Sequence, residues 1–208
     1  MIDVSAFFPQ ILPNVPSCPE PLAAQCVVDA AIMFSQDSNA LKFEQDSQKT
    51  IGGLRSYDLD VPSSHTLNRV ERVTFDGRDL VATVSRDVPQ DSAVGSPTHF
   101  YVDDSDSSAQ AIVLYPAPSE ARDLRVSASL RPVRGATKLD SRFYQDWMEA
   151  IVLGALARIM AIPAQPFSDP ARGAALSMLA VSASRRWRIE SSLLKTRSSL
   201  RVSSRPFA

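Results

Sequence analysis

The stretch LNRVERVTFDGRDLVATV, residues 67–84, restricts the fold more than any other part of the chain. Its flanks alternate apolar with polar residues and carry Val, Phe and Thr, the pattern of a half-buried strand. Between them Asp76-Gly77 supplies a tight turn, because Gly accepts positive φ at little cost. The spacing predicts a β-hairpin. Four further strands follow from period two: LRSYDLDVP, ending at Pro62, then PTHFYVDD, QAIVLYPAP and DLRVSASLRP. Residues 49–133 therefore read as an antiparallel sheet or sandwich with Pro-, Ser- and Asp-rich turns.

On both sides of this region the period is helical. Residues 1–16 read as an irregular lead-in in which Pro9, Pro13 and Pro16 block a helix, anchored by Phe7, Phe8, Ile11 and Leu12. Ser17 with Glu20 has the spacing of a capping box. Leu22, Cys26, Ala30, Met33, Phe34 and Leu41 then mark a helix from about 20 to 36 that can run on to about 45. After Leu139 comes DSRFYQDWMEAIVLGALARIMAIP, one helix with Asp140 or Ser141 as N-cap and Pro163 as its stop. A last helix opens with Ser168 as N-cap and Pro170 in its first turn. It carries Leu176, Leu179, Val181 and Ala183 and ends near 195.

The fold class is α+β: a small helical bundle with an inserted antiparallel β-sheet or sandwich and an extended C-terminal arm. The expected division is a lead-in and first helix (1–48), the inserted β-domain (49–133), two bundle helices (134–188) and the arm (189–208). The first helix should pack on the two late helices, since the β-region is expected to hold its own core.

Charge is unevenly spread along the 208 residues. Between 185 and 208 lie seven of the 22 basic residues and one of the 23 acidic ones, a net of +6; the rest holds 15 basic against 22 acidic, a net of −7. A basic arm on an acidic body calls for an acidic partner. Cations favour a helix C-terminus, which accounts for Arg185, Arg186 and Arg188. It does not account for Lys195, Arg197, Arg201 and Arg205, nor for the apolar Trp187, Ile189, Leu193, Leu194, Leu200, Val202 and Phe207 among them. An arm that orders on a partner uses both kinds of residue.

Chemistry is hard to place. His65 lies in a turn and His99 at a strand start, away from metal-ligand spacing. Cys18 and Cys26 read as buried free thiols of a reducing compartment. No G-x-S-x-G, Walker A or G-x-G-x-x-G occurs. Gly52-Gly53 reads as a turn. DDSDSS at 103–108 has the alternating acids of a calcium loop without its central Gly. Asp140, Asp146 and Glu149 make a polar helix face. The N-terminus lacks the pattern of a signal peptide, and no apolar run reaches the roughly 18 residues of a membrane span. No enzyme, cofactor or metal is expected. A nucleic-acid-binding protein using the arm on DNA is the alternative, although aromatic residues are not interleaved with the cations.

The layout resembles the head-to-tail adaptor proteins of tailed bacteriophages, the group that includes the tail tubular A proteins. The resemblance covers essentially the whole chain. It rests on FFPQILPNVPSCPEPLAAQCVVDAAIMFSQDS, the Tyr57-x-Leu59 strand, the VERVTFDGRDL hairpin, IVLYPAP, LRVSASLRP and LDSRFYQDWMEAIVLGALARIMAIPAQPFSDP. It implies a homo-oligomeric ring of about twelve copies at the virion neck, assembled in the host cytoplasm and docked under the portal. Such a ring seals the packaged head and offers the tail nozzle, or another downstream tail protein, a platform. The genome passes through the lumen without sequence-specific binding. No membrane, cofactor or catalysis is implied. The family's C-terminal segment reaches onto the portal, which makes Arg185, Arg186, Trp187, Arg188, Leu194, Lys195, Arg197, Arg201, Arg205 and Phe207 the candidate portal contacts. Chain order places Asp76, Gly77 and Arg78 toward the tail component, because the insertion leaves the bundle after its first helix and the arm leaves after its last.

Overall fold

The computed structural model describes residues 1–89, 93–103 and 110–192. The lead-in is wound more tightly than its prolines suggest. After strand β1 (Ile2–Asp3) come a 3-10 turn (Val4–Phe7), the one-turn helix α1 (Phe8–Ile11) and a second 3-10 turn (Leu12–Asn14). Pro9 and Pro13 sit in first turns, where a missing N–H costs nothing. The prolines divide the helix into short turns and do not abolish it. Phe7 and Ile11 are fully buried, so the anchor forms as expected.

Helix α2 (Glu20–Ser38) stops well short of residue 45. Asn39 adopts the left-handed conformation at φ 51° and its N–H donates to the Ser35 carbonyl at 3.0 Å, closing the helix. The capping box is also absent: Ser17 has φ 77°, and Pro19 precedes the first turn with no side-chain cap. Strand β2 (Lys42–Lys49) follows directly.

The remaining strands are β3 (Ser56–Asp58), β4 (His65–Phe75), β5 (Arg78–Asp79), β6 (Val81–Ala82), β7 (Val94–Gly95), β8 (His99–Asp103), β9 (Ala111–Tyr115), β10 (Ala117–Pro118), β11 (Asp123–Pro132) and β12 (Lys138–Leu139). With β2, seven of these form two four-stranded sheets in the orders β2-β11-β4-β5 and β3-β9-β8-β6, while β1 with β12 and β7 with β10 form two-stranded ladders. Pairing is antiparallel except in two short ladders, β6 with β8 and β7 with β10. The Asp76-Gly77 turn has positive φ at both residues, 50° and 77°, as a two-residue hairpin requires.

Helices α3 (Arg142–Gln145), α4 (Met148–Met160) and α5 (Pro170–Ser192) complete the chain. One long helix was expected where α3 and α4 stand. The break falls at Trp147 (φ −124°, ψ 13°), which buries its indole in the bundle. Asp140 caps α3, its Oδ1 accepting from Arg142 N–H at 2.9 Å. At α5 the capping side chain is Asp169 and not Ser168: its Oδ1 accepts from Arg172 N–H at 3.0 Å.

Helices α2, α4 and α5 pack as a bundle in which α4 runs against the other two. Phe34 near the end of α2 meets Trp147 before the start of α4, at 5.3 Å between ring centroids. The Gly173 Cα at the start of α5 sits against the end of α4, and Trp187 near the end of α5 returns to Trp147 at 6.2 Å. The β-region does not hold a separate core. Val73, Ile112, Leu114, Leu124 and Leu130 belong to one cluster with Val27, Ile151 and Ile159. Polar bonds lock the joint: Asn68 Nδ2 donates to Asn39 Oδ1 at 2.8 Å and to the Ser35 carbonyl at 3.2 Å, and Ser129 Oγ donates to Asn39 Oδ1 at 3.3 Å.

Candidate functional site

The candidate contacts fall in two places. The first is the end of α5. This helix touches the bundle along Gly173, Leu176, Ala180, Ser184 and Trp187, a stripe spaced by three and four residues. Trp187 is half-buried, stacked edge-on against Trp147, which in turn meets Phe143 at 5.2 Å and lies under the Arg142 guanidinium at 6.0 Å. The indole of Trp187 therefore faces the bundle, while Arg185, Arg186 and Arg188 are exposed around it. Leu194, Lys195, Arg197, Arg201, Arg205 and Phe207 lie outside the described residues.

The second place is the hairpin tip. Asp76, Gly77 and Arg78 are all exposed. Asp76 lies 3.8 Å from Arg122. Just behind the tip Arg72 grips Asp79 through two bonds of 2.6 and 2.9 Å, and this hydrogen bonding holds the Asp79 carboxyl below its ordinary value. From the joint at Asn68 to Phe75 is seven strand residues, roughly 23 Å. With three helices in the bundle, α5 ends where the sheet begins. The end of α5 at Trp187 and the start of the sheet at Asn39 thus lie at the same end of the bundle, so chain order does not by itself set the hairpin opposite the arm, the placement that the sequence predicts.

Sequence reasoning missed the outer face of α5. Leu179 continues the apolar pattern but is 53% exposed, and its neighbour Met178 is 70% exposed. Beside them a groove of about 400 Å³ runs between α2, α4 and α5, floored by Ala30, Gly154, Ala157 and Gly173. Arg158 crosses its rim, against the Met33 sulfur and 3.9 Å from Asp29. The signal available was the run of Ala, Gly and Ser in α5, too small to fill a wide core face.

The titratable groups singled out in the sequence do not converge. His65 Nδ1 lies 2.9 Å from Ser64 Oγ, and burial pushes its pKa down. His99 Nδ1 lies 2.8 Å from Thr98 Oγ1, on another sheet. For Asp140, burial alone would raise the carboxyl, but the Arg142 hydrogen bonds and charge reverse this and leave it below its ordinary value. Cys18 and Cys26 are buried free thiols, Cys26 pushed up by burial to about 11. Gly53 has φ 80° and donates to the Pro118 carbonyl at 2.8 Å, a turn. Of the acidic run at 103–108, only Asp103 is among the described residues. Among these no group of three His, Cys, Asp or Glu side chains is arranged to hold a metal ion. No described helix is long and apolar enough to cross a membrane.

None of the curated proteins is significantly similar to the chain. The pattern of the family described as SU10 adaptor protein matches residues 10–202, from α1 through both sheets and all of α5 into the basic segment. The chain belongs to the SU10 adaptor protein family, a family of phage head-to-tail adaptors with a structural place in the virion.

Proposed function

We propose that the chain is one subunit of a closed ring of about twelve copies, seated beneath the portal of a tailed phage. There it seals the packaged head, gives the tail a platform and lets the genome pass. Family membership supports the adaptor role. The observation that carries the docking is the end of α5: Trp187 fixes the helix to the bundle while Arg185, Arg186 and Arg188 face outward beside it. Four more cations follow within residues 193–208. A ring subunit meets a neighbour that is already assembled, and a segment that orders on contact loses roughly 1–2 kcal/mol of backbone entropy per residue. Many such segments on one ring raise the effective concentration of each and offset that loss.

The acidic body, net −7 outside residues 185–208, repels DNA phosphates and suits passage without sequence-specific contact. The exposed tip at Asp76, Gly77 and Arg78 is the surface offered to the next tail component. The test is co-sedimentation with portal rings across a salt series. Replacing Arg197, Arg201 and Arg205 by Ala weakens docking, most at low salt, where charge attraction is least screened. Leu194→Asp weakens it at every salt. Docking of the triple variant as tight as the parent at every salt sinks this reading. DNA binding with no affinity for portal assigns the segment to nucleic acid instead.

A further inference from the structure

The β-sandwich is open along one flank. β2 is the outer strand of one sheet and β3 of the other, and a groove of about 580 Å³ lies between them, lined by residues 43–48 and 58–60. Gln45 spans it, its Nε2 donating to the Asp58 carbonyl and its Oε1 accepting from Asp60 N–H, both at 3.3 Å. Leu130 N–H donates to the Leu41 carbonyl at 2.9 Å. Antiparallel alternation from that pair turns the N–H and C=O of Glu44 away from β11. Among the described residues no backbone hydrogen bond reaches the outer edge of β2 from Phe43 to Gln48. A bulge between the Val126 and Leu124 pairings sets both Gln45 and Gln48 opposite buried residues. The Gln48 amide nitrogen is buried there without a partner.

The rim is acidic. Glu44, Asp46, Asp58 and Asp60 have no ion-pair partner among the described residues, whereas the flanking Lys42 and Lys49 are held by Glu71 and Asp123. An edge charged in this way repels most strands. It admits a basic one, and the chain contains such a segment. From 194 to 205 every cation falls at an odd position (Lys195, Arg197, Arg201, Arg205) and every large apolar residue at an even one (Leu194, Leu200, Val202). Extended, this segment has a basic face and an apolar face. No acid follows Glu190. Its reach also suits the groove, since Trp187 near the end of α5 meets Trp147, which meets Phe34 about one turn before α2 gives way to β2. Residues 193–196 make a link of roughly 13 Å, and the edge from 43 to 48 is roughly 20 Å long.

We propose that residues 197–205 of the same chain dock on β2 as an additional edge strand, cations on the acidic rim and Leu200 and Val202 toward Phe43 and Leu59. This concerns the free subunit and goes beyond the portal reading: the segment that grips the portal first leaves its own sheet. Hydrogen exchange on the full chain, without portal and at low salt, tests it. The outward-facing amides of β2, that of Glu44 first, exchange at least tenfold more slowly than in a Leu200→Pro, Val202→Pro variant, which cannot pair as a strand. The fluorescence of Trp147 and Trp187 checks that the body is unaltered. Arg197→Glu with Arg201→Glu speeds the same amides, and adding Asp46→Arg with Asp60→Arg slows them again. Equal exchange in the parent and the proline variant overturns the proposal. So does protection that grows with protein concentration, which assigns the strand to a second copy, and so does protection that appears only on portal.

Discussion

Helices α4 and α5 lie side by side, are both rich in alanine, and meet the fold in opposite ways. Eight of the 13 residues of α4 are buried, among them Ile151, Leu156, Ile159 and Met160. Among the described side chains of α5 only Gly173 and Ser184 are buried, and Met178, Leu179 and Ile189 face outward. α4 is held by apolar area removed from water, at about 25 cal/mol per Å². α5 is held by close approach of small residues and by the ring of Trp187. A helix attached along so narrow a stripe keeps most of its surface for other molecules, and the basic segment continues from it. The contrast separates the part of the chain that makes the fold from the part that the proposed docking uses.

The largest test of that contrast is on α4. Leu156 is 5% exposed and belongs to the buried cluster shared by the bundle and the sheets. Leu156→Ala removes buried area and leaves a cavity, so urea unfolding gives a loss of roughly 2–5 kcal/mol. A loss below about 1 kcal/mol shows that α4 does not carry the fold in the way claimed.

The next test is on the seam between the two helices. A Cβ built on Gly173 meets the Ala157 carbonyl oxygen at 3.0 Å and Met160 Cβ at 3.4 Å. The first of these is backbone and cannot turn aside. Gly173→Ala therefore pushes the start of α5 off α4 and costs roughly 1–3 kcal/mol, against the small gain in helix propensity that alanine brings at an open site. Ala174→Gly, on the exposed neighbour, costs only the propensity difference of about 1 kcal/mol. Greater stability in Gly173→Ala means that α5 shifts without loss, and the seam is then no constraint.

What the sequence revealed of this arrangement follows from what carries the signal. Asp76-Gly77 was legible because two consecutive positive φ values leave few residue choices. The α4 face was legible because large apolar residues mark the helical period. The end of α2 was not: Phe34 and Leu41 continue the spacing, and only Asn39 turning left-handed stops it. The break at Trp147 has neither Gly nor Pro to announce it; a buried indole takes the place of a helical turn. The stripe of α5 was hidden for another reason. Gly173, Ala180 and Ser184 carry little hydropathy, so the pattern was assigned to Leu176, Leu179 and Val181, of which Leu179 faces outward. Of the candidate contacts, Trp187 was identified by residue type but not by direction, because sequence does not say which way a ring at a helix end turns. The acidic flank escaped notice since Glu44, Asp46, Asp58 and Asp60 meet only across two sheets.

The smallest expected effect is on the outer face of α5. If the fold owes nothing to that face, Met178→Gln with Leu179→Gln leaves stability unchanged within about 0.5 kcal/mol, the range for surface changes away from special features. Glutamine keeps a straight side chain and nearly the helix propensity of Met and Leu, so the helix itself is not the variable. What changes is exposed apolar area, since these two side chains are 70% and 53% exposed and adjacent. A dye that brightens on apolar surface therefore fluoresces less with the double variant than with the parent, while the urea midpoint stays in place. A destabilisation above about 1 kcal/mol breaks the comparison with α4, because it means the outer face of α5 is packed in the isolated subunit. An unchanged midpoint together with unchanged dye binding points the other way: the apolar surface that solvent meets then lies elsewhere, at Ile51 or Leu54 in the loop between β2 and β3 or at Val81 on β6, each more than 40% exposed.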